Sequence, residues 1–409
     1  MMMIPAKNLF YFNALFDMAM GGHTRAPLKR AADEMSVLII PMSSKDDFCL
    51  IKTAFAPDYT AFLEDNGLVL PKLVNVNERF DSSIIARPWG WDEEALETFK
   101  KMGAGMSHPA IDIVKKINNR QFCDSFNEIE KNGVPGSVLL KSSDDVKNFF
   151  ANNPNFPLVV KPAHGSSGFG FFRLDESPDK TTVNKIFQLI EQDIIIVEPW
   201  LKRIMDVSSS VDIGSDGGLS AVRHYQCLVD SKGTFYGVYL PPDQTRLKPW
   251  IPALDKHAAA CAEYIYKRGY FGPVGFDSFV YLKDNEPPAL APIIEINARH
   301  VMSDIARALK SKLAPDKYVL YRLLSSKRAK LPESYSRLKN ILREHSFSAA
   351  AKKGILPLTP LRNTTDITRQ PYRNAFFISA ESEEELFRMD SFLINALSPH
   401  RNARRCLLK

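Results

Sequence analysis

The stretch "PIIEINARH", Pro292 to His300, places Glu295, Asn297 and Arg299 at every second position, between Ile294, Ile296 and Ala298. Successive side chains of a strand point to opposite faces, so this pattern predicts a carboxylate, an amide and a guanidinium on one face and apolar groups on the other. An isolated alternation is equally well a half-exposed strand with a wet outer surface. The neighbouring segments decide between the two.

Upstream, "VGFDSFVYL" reads as a strand and "KDNEPP" as a polar turn, so the two runs form a hairpin. Asp277 of the first strand then converges with Glu295 and Asn297. Magnesium takes hard oxygen ligands, usually one or two carboxylates completed by substrate phosphates and water, and this trio matches that demand. Arg299, two positions on, offers a planar fork for a carboxylate or a developing acyl phosphate.

A second constellation lies in "FPLVVKPAHGSSGFG". "FPLVVKPA" reads as a strand, and Gly165 to Gly170 follow as G-x-x-G-x-G, which is neither the dinucleotide fingerprint nor the P-loop. The turn links two strands, where both of those motifs open a helix. Small residues let backbone N–H groups approach a phosphate, and Lys161 brings a point charge to the same place.

The remaining chain alternates. Residues 1–105 read as a small α/β unit: "MSVLIIPM" is a candidate buried strand, and "RPWGWD", Arg87 to Asp92, a tight turn pinned by indoles ahead of the helix "DEEALETFKKMG". "SHPAIDIVKKINNRQFCDSFNEIEKNG" is helical, "SSDDVKNFFANN" is a helix capped by Ser142 or Ser143, and "DIIIVEPWL" is a buried strand. From 206 the period becomes that of antiparallel strands, in "VSSSVDIG", "LSAVRHYQCLVD" and "TFYGVYL". A helix starts near Ser303, and the end of the chain holds the strand "NAFFIS" and the helix "EEELFRMDSFLINAL".

Composition sets outer bounds. The 409 residues suffice for two or three domains, and 45% hydrophobic with 24% charged residues is ordinary for a soluble globular protein. Asn13, Asp17 and a single Lys7 make the apolar N-terminus a poor signal peptide, and no run approaches the ~20 apolar residues of a membrane span. Five scattered cysteines without a C-x-x-C pair argue against a disulfide framework and a zinc site, and point to the cytoplasm. Residues 307–409 carry 21 Lys or Arg against 9 Asp or Glu. Without interleaved aromatics this reads as a solvated surface, with an acidic carrier protein as the alternative partner and no nucleic acid.

Taken in order, "FPLVVKPAHGSSGFG", "IIIVEPWLKRIMDVSSSV", "GPVGFDSF" and "IIEINAR" resemble the ATP-grasp superfamily of carboxylate-amine ligases, over about residues 106–310. The region with "RPWGWD" resembles the pre-ATP-grasp domain of peptide-forming members. The resemblance implies an α/β (α+β) fold in which two subdomains, 106–200 and 201–310, clasp ATP, preceded by a small domain over 1–105 and followed by a basic region, 311–409, packed on the core.

It also implies roles. Lys161 binds the nucleotide phosphates, with Arg120 in "INNRQF" standing where many members have a second lysine. The loop of Gly165, Ser166, Ser167 and Gly168 folds over the phosphates. The hinge strand from Val197, with Glu198, Trp200 and Leu201, contacts adenine, and Asp206 lies near the ribose. Asp277, Glu295 and Asn297 hold Mg2+, with Mn2+ as a substitute; Arg299 and Arg223 act on the reacting carboxylate. The implied activity joins a carboxylate to the amine of an amino acid or peptide through an acyl phosphate, releasing ADP and phosphate. The alternatives are a carrier-protein thiol as acceptor and a non-enzymatic nucleotide-binding protein. A homodimer is the expected assembly. Neither H-R-D nor D-F-G occurs, which disfavours a protein kinase.

Overall fold

Helix α4 (Glu93–Met102) illustrates how local sequence sets the architecture. Asp92 caps it by accepting the Ala95 N–H, Glu93 and Glu94 occupy the first turn, Lys100 and Lys101 the last, and Gly103 ends it in the left-handed conformation. The protein is described here as a computed structural model covering residues 6–22, 26–152, 155–165, 171–283, 285–362 and 370–397.

The N-terminal unit runs β1 (Asn8–Tyr11), α1 (Phe16–Met20), α2 (Ala26–Glu34), β2 (Phe48–Leu50), α3 (Pro57–Asp65), β3 (Lys72–Val74), β4 (Ile85–Pro88) and α4. Its strands form a parallel sheet in the order β3-β2-β1-β4. The expected strand "MSVLIIPM" is instead a 3-10 helix, Met35–Met42, buried from Ser36 to Pro41. An apolar run without a polar face marks neither period, and Pro41 has no N–H to give a sheet.

The next unit contains α5 (Ile111–Ile117), α6 (Arg120–Glu130), β5 (Val138–Leu140), α7 (Ser143–Ala151), β6 (Leu158–Pro162), β7 (Phe172–Leu174), α8 (Lys180–Gln192) and β8 (Ile195–Pro199). The helical stretch 107–133 is thus two helices. Asn119 adopts an extended backbone and its side chain accepts the Gln121 N–H, which makes Arg120 the first residue of α6. Ser142 is the cap of α7. The sheet is antiparallel, in the order β5-β8-β6-β7.

Among the described residues the third sheet has eight strands: β9 (Lys202–Ile213), β10 (Arg223–Val229), β11 (Phe235–Leu240), β12 (Gly272–Lys283), β13 (Glu286–Asn297), β14 (Tyr318–Ser325), β15 (Gly354–Pro357) and β16 (Arg373–Ala380). Their order is β13-β12-β9-β10-β11-β14-β16-β15. Helices α9 (Ile251–Tyr266), α10 (Met302–Leu313), α11 (Tyr335–Leu342) and α12 (Glu383–Leu397) accompany it. The C-terminal strands therefore extend the central sheet through the β11–β14 ladder. β13 is the outer strand, which suits Pro287, Pro288 and Pro292, since an edge strand needs N–H groups on one side only.

One continuous core joins Leu9 and Tyr11 of the N-terminal sheet to Phe276 and Ile296 of the large sheet and Ile305 of α10. It fixes the N-terminal unit against the strands that carry the polar trio.

Candidate active site

Asp277 on β12 pairs directly with Glu295 on β13 and, on its other side, with Ser208 on β9. Aligned residues of neighbouring strands share a face, so the hairpin brings the two carboxylates together as its sequence predicts. The alternation is not perfect. An irregularity between Asp277 and Phe279 shifts the ladder, so that Ile293 is buried in the core while Ile294, expected there, lines the cleft beside Glu295. Asn297 donates its Nδ2 to Asp277 Oδ2 at 3.2 Å.

Gly275, opposite Asn297, has a steric reason: a Cβ there would lie 2.2 Å from Val301 Cγ1. Its absence lets the start of α10 close onto the sheet. Ser303 Oγ donates to Ser208 Oγ at 3.1 Å, and Ser210 Oγ donates to Asp304 Oδ1 at 2.8 Å.

The facing wall supplies cations. Lys161 on β6 and Glu198 on β8 form a buried ion pair at 2.5 Å, with Glu198 behind the lysine and not at the cleft surface. Arg120 donates Nη1 to the Pro162 carbonyl at 2.7 Å and Nη2 to Glu295 Oε1 at 2.6 Å, so it spans from the small sheet to β13. Gly165 permits this, because a Cβ would lie 2.7 Å from Arg120 Nη1. Ser166, Ser167 and Gly168 lie outside the described residues.

Between β8 and β9, Trp200 sits between the Arg173 and Arg203 guanidinium groups, 5.2 and 5.3 Å from its ring, and packs with Phe171 against Gly233. Arg203 also pairs with Asp206 at 3.0 Å. Burial first, opposed by Arg203, leaves the Asp206 carboxyl above its ordinary range. Leu201 packs instead into a small cluster with Val134 and Phe279.

Arg299 follows β13 directly. Its Nε and Nη2 grip both oxygens of Asp17, from α1, at 2.6 and 2.8 Å; Nη1 donates to the His300 carbonyl and Nη2 to Asn297 Oδ1 at 2.9 Å. Arg223 on β10 is held by Asp212 at 2.9 Å and lies outside the cleft lining. The two histidines have partners that the sequence did not reveal: His224 lies between Ser209 and Asp255, and His300 beside Asp304.

A single cleft thus gathers Arg120, Lys161, Gly165, Trp200, Asp206, Asp277, Glu295, Asn297 and Arg299, and leaves out Glu198, Leu201 and Arg223. Sequence reasoning missed Arg203, Ser208 and Ser303 on its wall, and Asp17 behind Arg299. A signal for Asp17 existed, since it is the only acid among the first 32 residues.

The donor set fits a divalent cation. Burial first, then the charge of Glu295, push Asp277 above the usual carboxylate range, against the pull of Arg299 and the Asn297 hydrogen bond. A hard cation between these oxygens relieves that repulsion, and two carboxylates with one amide are what Mg2+ takes alongside phosphate oxygens. Among the described residues no three His, Cys, Asp or Glu side chains converge as a metal cage, and no helix is long and apolar enough to cross a membrane.

No protein-family model and no curated protein matches the sequence. Solved structures do resemble it along its whole length. An ADP complex of N5-carboxyaminoimidazole ribonucleotide synthetase has 15% identity and a TM-score of 0.55, over 96% of this chain and 97% of that one. The carboxyaminoimidazole ribonucleotide synthase of Aspergillus clavatus, complexed with ATP, has 12% identity and a TM-score of 0.52, over 97% and 99%. The biotin carboxylase domain dimer of Hydrogenobacter thermophilus 2-oxoglutarate carboxylase, with MgADP, ADP and bicarbonate, has 11% identity and a TM-score of 0.52, over 94% and 89%. With the cleft between the small and large sheets, these likenesses establish that the chain has the ATP-grasp fold.

Proposed function

We propose that the protein is an ADP-forming ligase that activates a carboxylate with ATP and joins it to a nitrogen nucleophile. The observation that carries this reading is the convergence, in one cleft, of Lys161 and Arg120 from the small unit with Asp277, Glu295 and Asn297 from the large sheet. Phosphoryl transfer asks mainly for positioning and charge neutralisation, and these side chains supply both.

In this reading Lys161 and Arg120, now paired with Glu198 and Glu295, turn toward the phosphates of ATP. Trp200 and its flanking arginines border the base. Asp277, Glu295 and Asn297 hold Mg2+, which spreads the charge of the phosphate oxygens. The carboxylate oxygen attacks the γ-phosphorus, ADP leaves, and the acyl phosphate is then attacked by the amine, with phosphate departing and a proton lost. Residues 1–105, 106–310 and 311–409 serve as the pre-ATP-grasp domain, the core and its extension, and the free thiols Cys49, Cys123, Cys227 and Cys261 suit a cytoplasmic protein.

The amine of an amino acid or peptide is the acceptor favoured by the resemblance around "RPWGWD". Bicarbonate as the carboxylate is a second reading, favoured by the full-length likeness to a biotin carboxylase domain bound to bicarbonate. Hydroxylamine with MgATP and a panel of carboxylates, bicarbonate, amino acids and dipeptides tests the reaction type. The expected result is a hydroxamate, or for bicarbonate a stimulated release of ADP and phosphate; AMP and pyrophosphate would refute it.

A further inference from the structure

Arg299 is held from outside its own sheet. Both Asp17 oxygens grip its guanidinium across 282 residues of sequence, and both side chains are largely buried, at 11% and 16% exposure. The "RPWGWD" turn completes the enclosure. At Gly90 a Cβ would lie 2.6 Å from the Phe16 ring and 2.9 Å from Arg299 Cβ, so only glycine lets α1 and Arg299 meet there. Asn13 fixes that glycine by donating to its carbonyl at 2.8 Å, the Trp89 ring lies 5.8 Å from the guanidinium, and the Trp89 carbonyl accepts the His300 N–H at 2.9 Å.

The held arginine reaches into the cleft, where its Nη2 occupies Asn297 Oδ1 while Asn297 Nδ2 occupies Asp277. From these contacts we infer that Asp17, seated by the Trp89–Gly90 turn, is a positioning residue of the cleft: it fixes Arg299 and cancels its charge, so that the Asp277, Glu295 and Asn297 group accepts a divalent cation. The inference rests on the ligase reading above. An uncancelled guanidinium next to these oxygens repels a divalent cation, and even at the dielectric constant of water a unit charge ~6 Å from a divalent cation changes its affinity on the order of tenfold. The tight, many-sided seating also sets Asp17 apart from a carboxylate that substrate displaces, because leaving would strand a buried guanidinium.

The test uses Mn2+ as the probe, in the full chain with ADP present, read by the electron-spin-resonance signal of free Mn2+. Asp17→Asn is expected to weaken Mn2+ binding on the order of tenfold while ADP affinity without metal stays unchanged. In an Arg299→Met background the same substitution is expected to cost clearly less, since only Asp17's own attraction for the cation is lost and no freed guanidinium moves against the site. Asp17→Glu, which keeps the charge, is expected to recover most of the affinity and answers the question if Asp17→Asn does not fold. Unchanged Mn2+ affinity in Asp17→Asn, an equal loss in the Arg299→Met background, or a loss as large in Asp17→Glu would each overturn the inference. A wild-type protein that takes up no Mn2+ with ADP would bring down the ligase reading itself.

Discussion

Arg120 Nη2 lies 2.6 Å from Glu295 Oε1, which joins the first residue of α6 to the outer strand of the large sheet. Arg120 is the more enclosed partner, at 9% exposure against 29%. The pair therefore makes Glu295 structural as well as chemical, a dual role that an alternation of polar residues does not disclose.

Glu295→Gln is expected to reduce turnover strongly and to lower stability by about 1–3 kcal/mol, since Gln still accepts the hydrogen bond but leaves Arg120 without its counter-charge. Thermal denaturation beside an ADP-release assay checks both. Full activity would mean that Glu295 is only a surface partner of Arg120.

Ile296 is 2% exposed in the core that joins the N-terminal sheet to α10. Ile296→Ala is expected to cost about 2–5 kcal/mol, measured by urea unfolding, with MgATP affinity little changed in the protein that stays folded.

Gly275→Ala puts a methyl group where Val301 Cγ1 sits. The start of α10 must lift, so Ser303 separates from Ser208, and nucleotide affinity is expected to fall along with the melting temperature. Calorimetric titration of MgATP reads the first effect, and unchanged affinity would show that the α10 terminus does not shape the cleft.

Asp92 is 2% exposed, and burial pushes its carboxyl up to about 6, against the hydrogen bonds from Ala95 and Asn13. A raised carboxyl pKa means that the folded protein binds more protons than the unfolded chain, so this group's stabilising contribution is complete below about pH 4 and is lost as pH rises through about 6. Asp92→Asn keeps the helix cap and removes that titration. Its melting temperature relative to wild type is expected to climb between pH 4 and 7; a constant difference would contradict the shift.

Much of this was legible in the sequence because it rests on local period. The β12–β13 hairpin, the cap of α7 at Ser142, one of the two serines expected there, and the joining of Asp277 with Glu295 follow from alternation and capping chemistry. What was not legible depends on contacts between distant segments. Asp17 meets Arg299 only after the N-terminal unit docks, His224 finds Asp255 on α9, and Ile294 turns to the cleft because the ladder shifts beside it. The run "MSVLIIPM" failed for a different reason: buried on all sides, it carries no period to read.

The most direct test of the central claim is calorimetric titration of the full chain with MgATP, for wild type, Lys161→Met and Asp277→Asn. The wild type is expected to show one site, weakened strongly by Lys161→Met, with the magnesium dependence of binding lost in Asp277→Asn. Absence of MgATP binding in the wild type, or equal binding in all three proteins, would contradict the central claim.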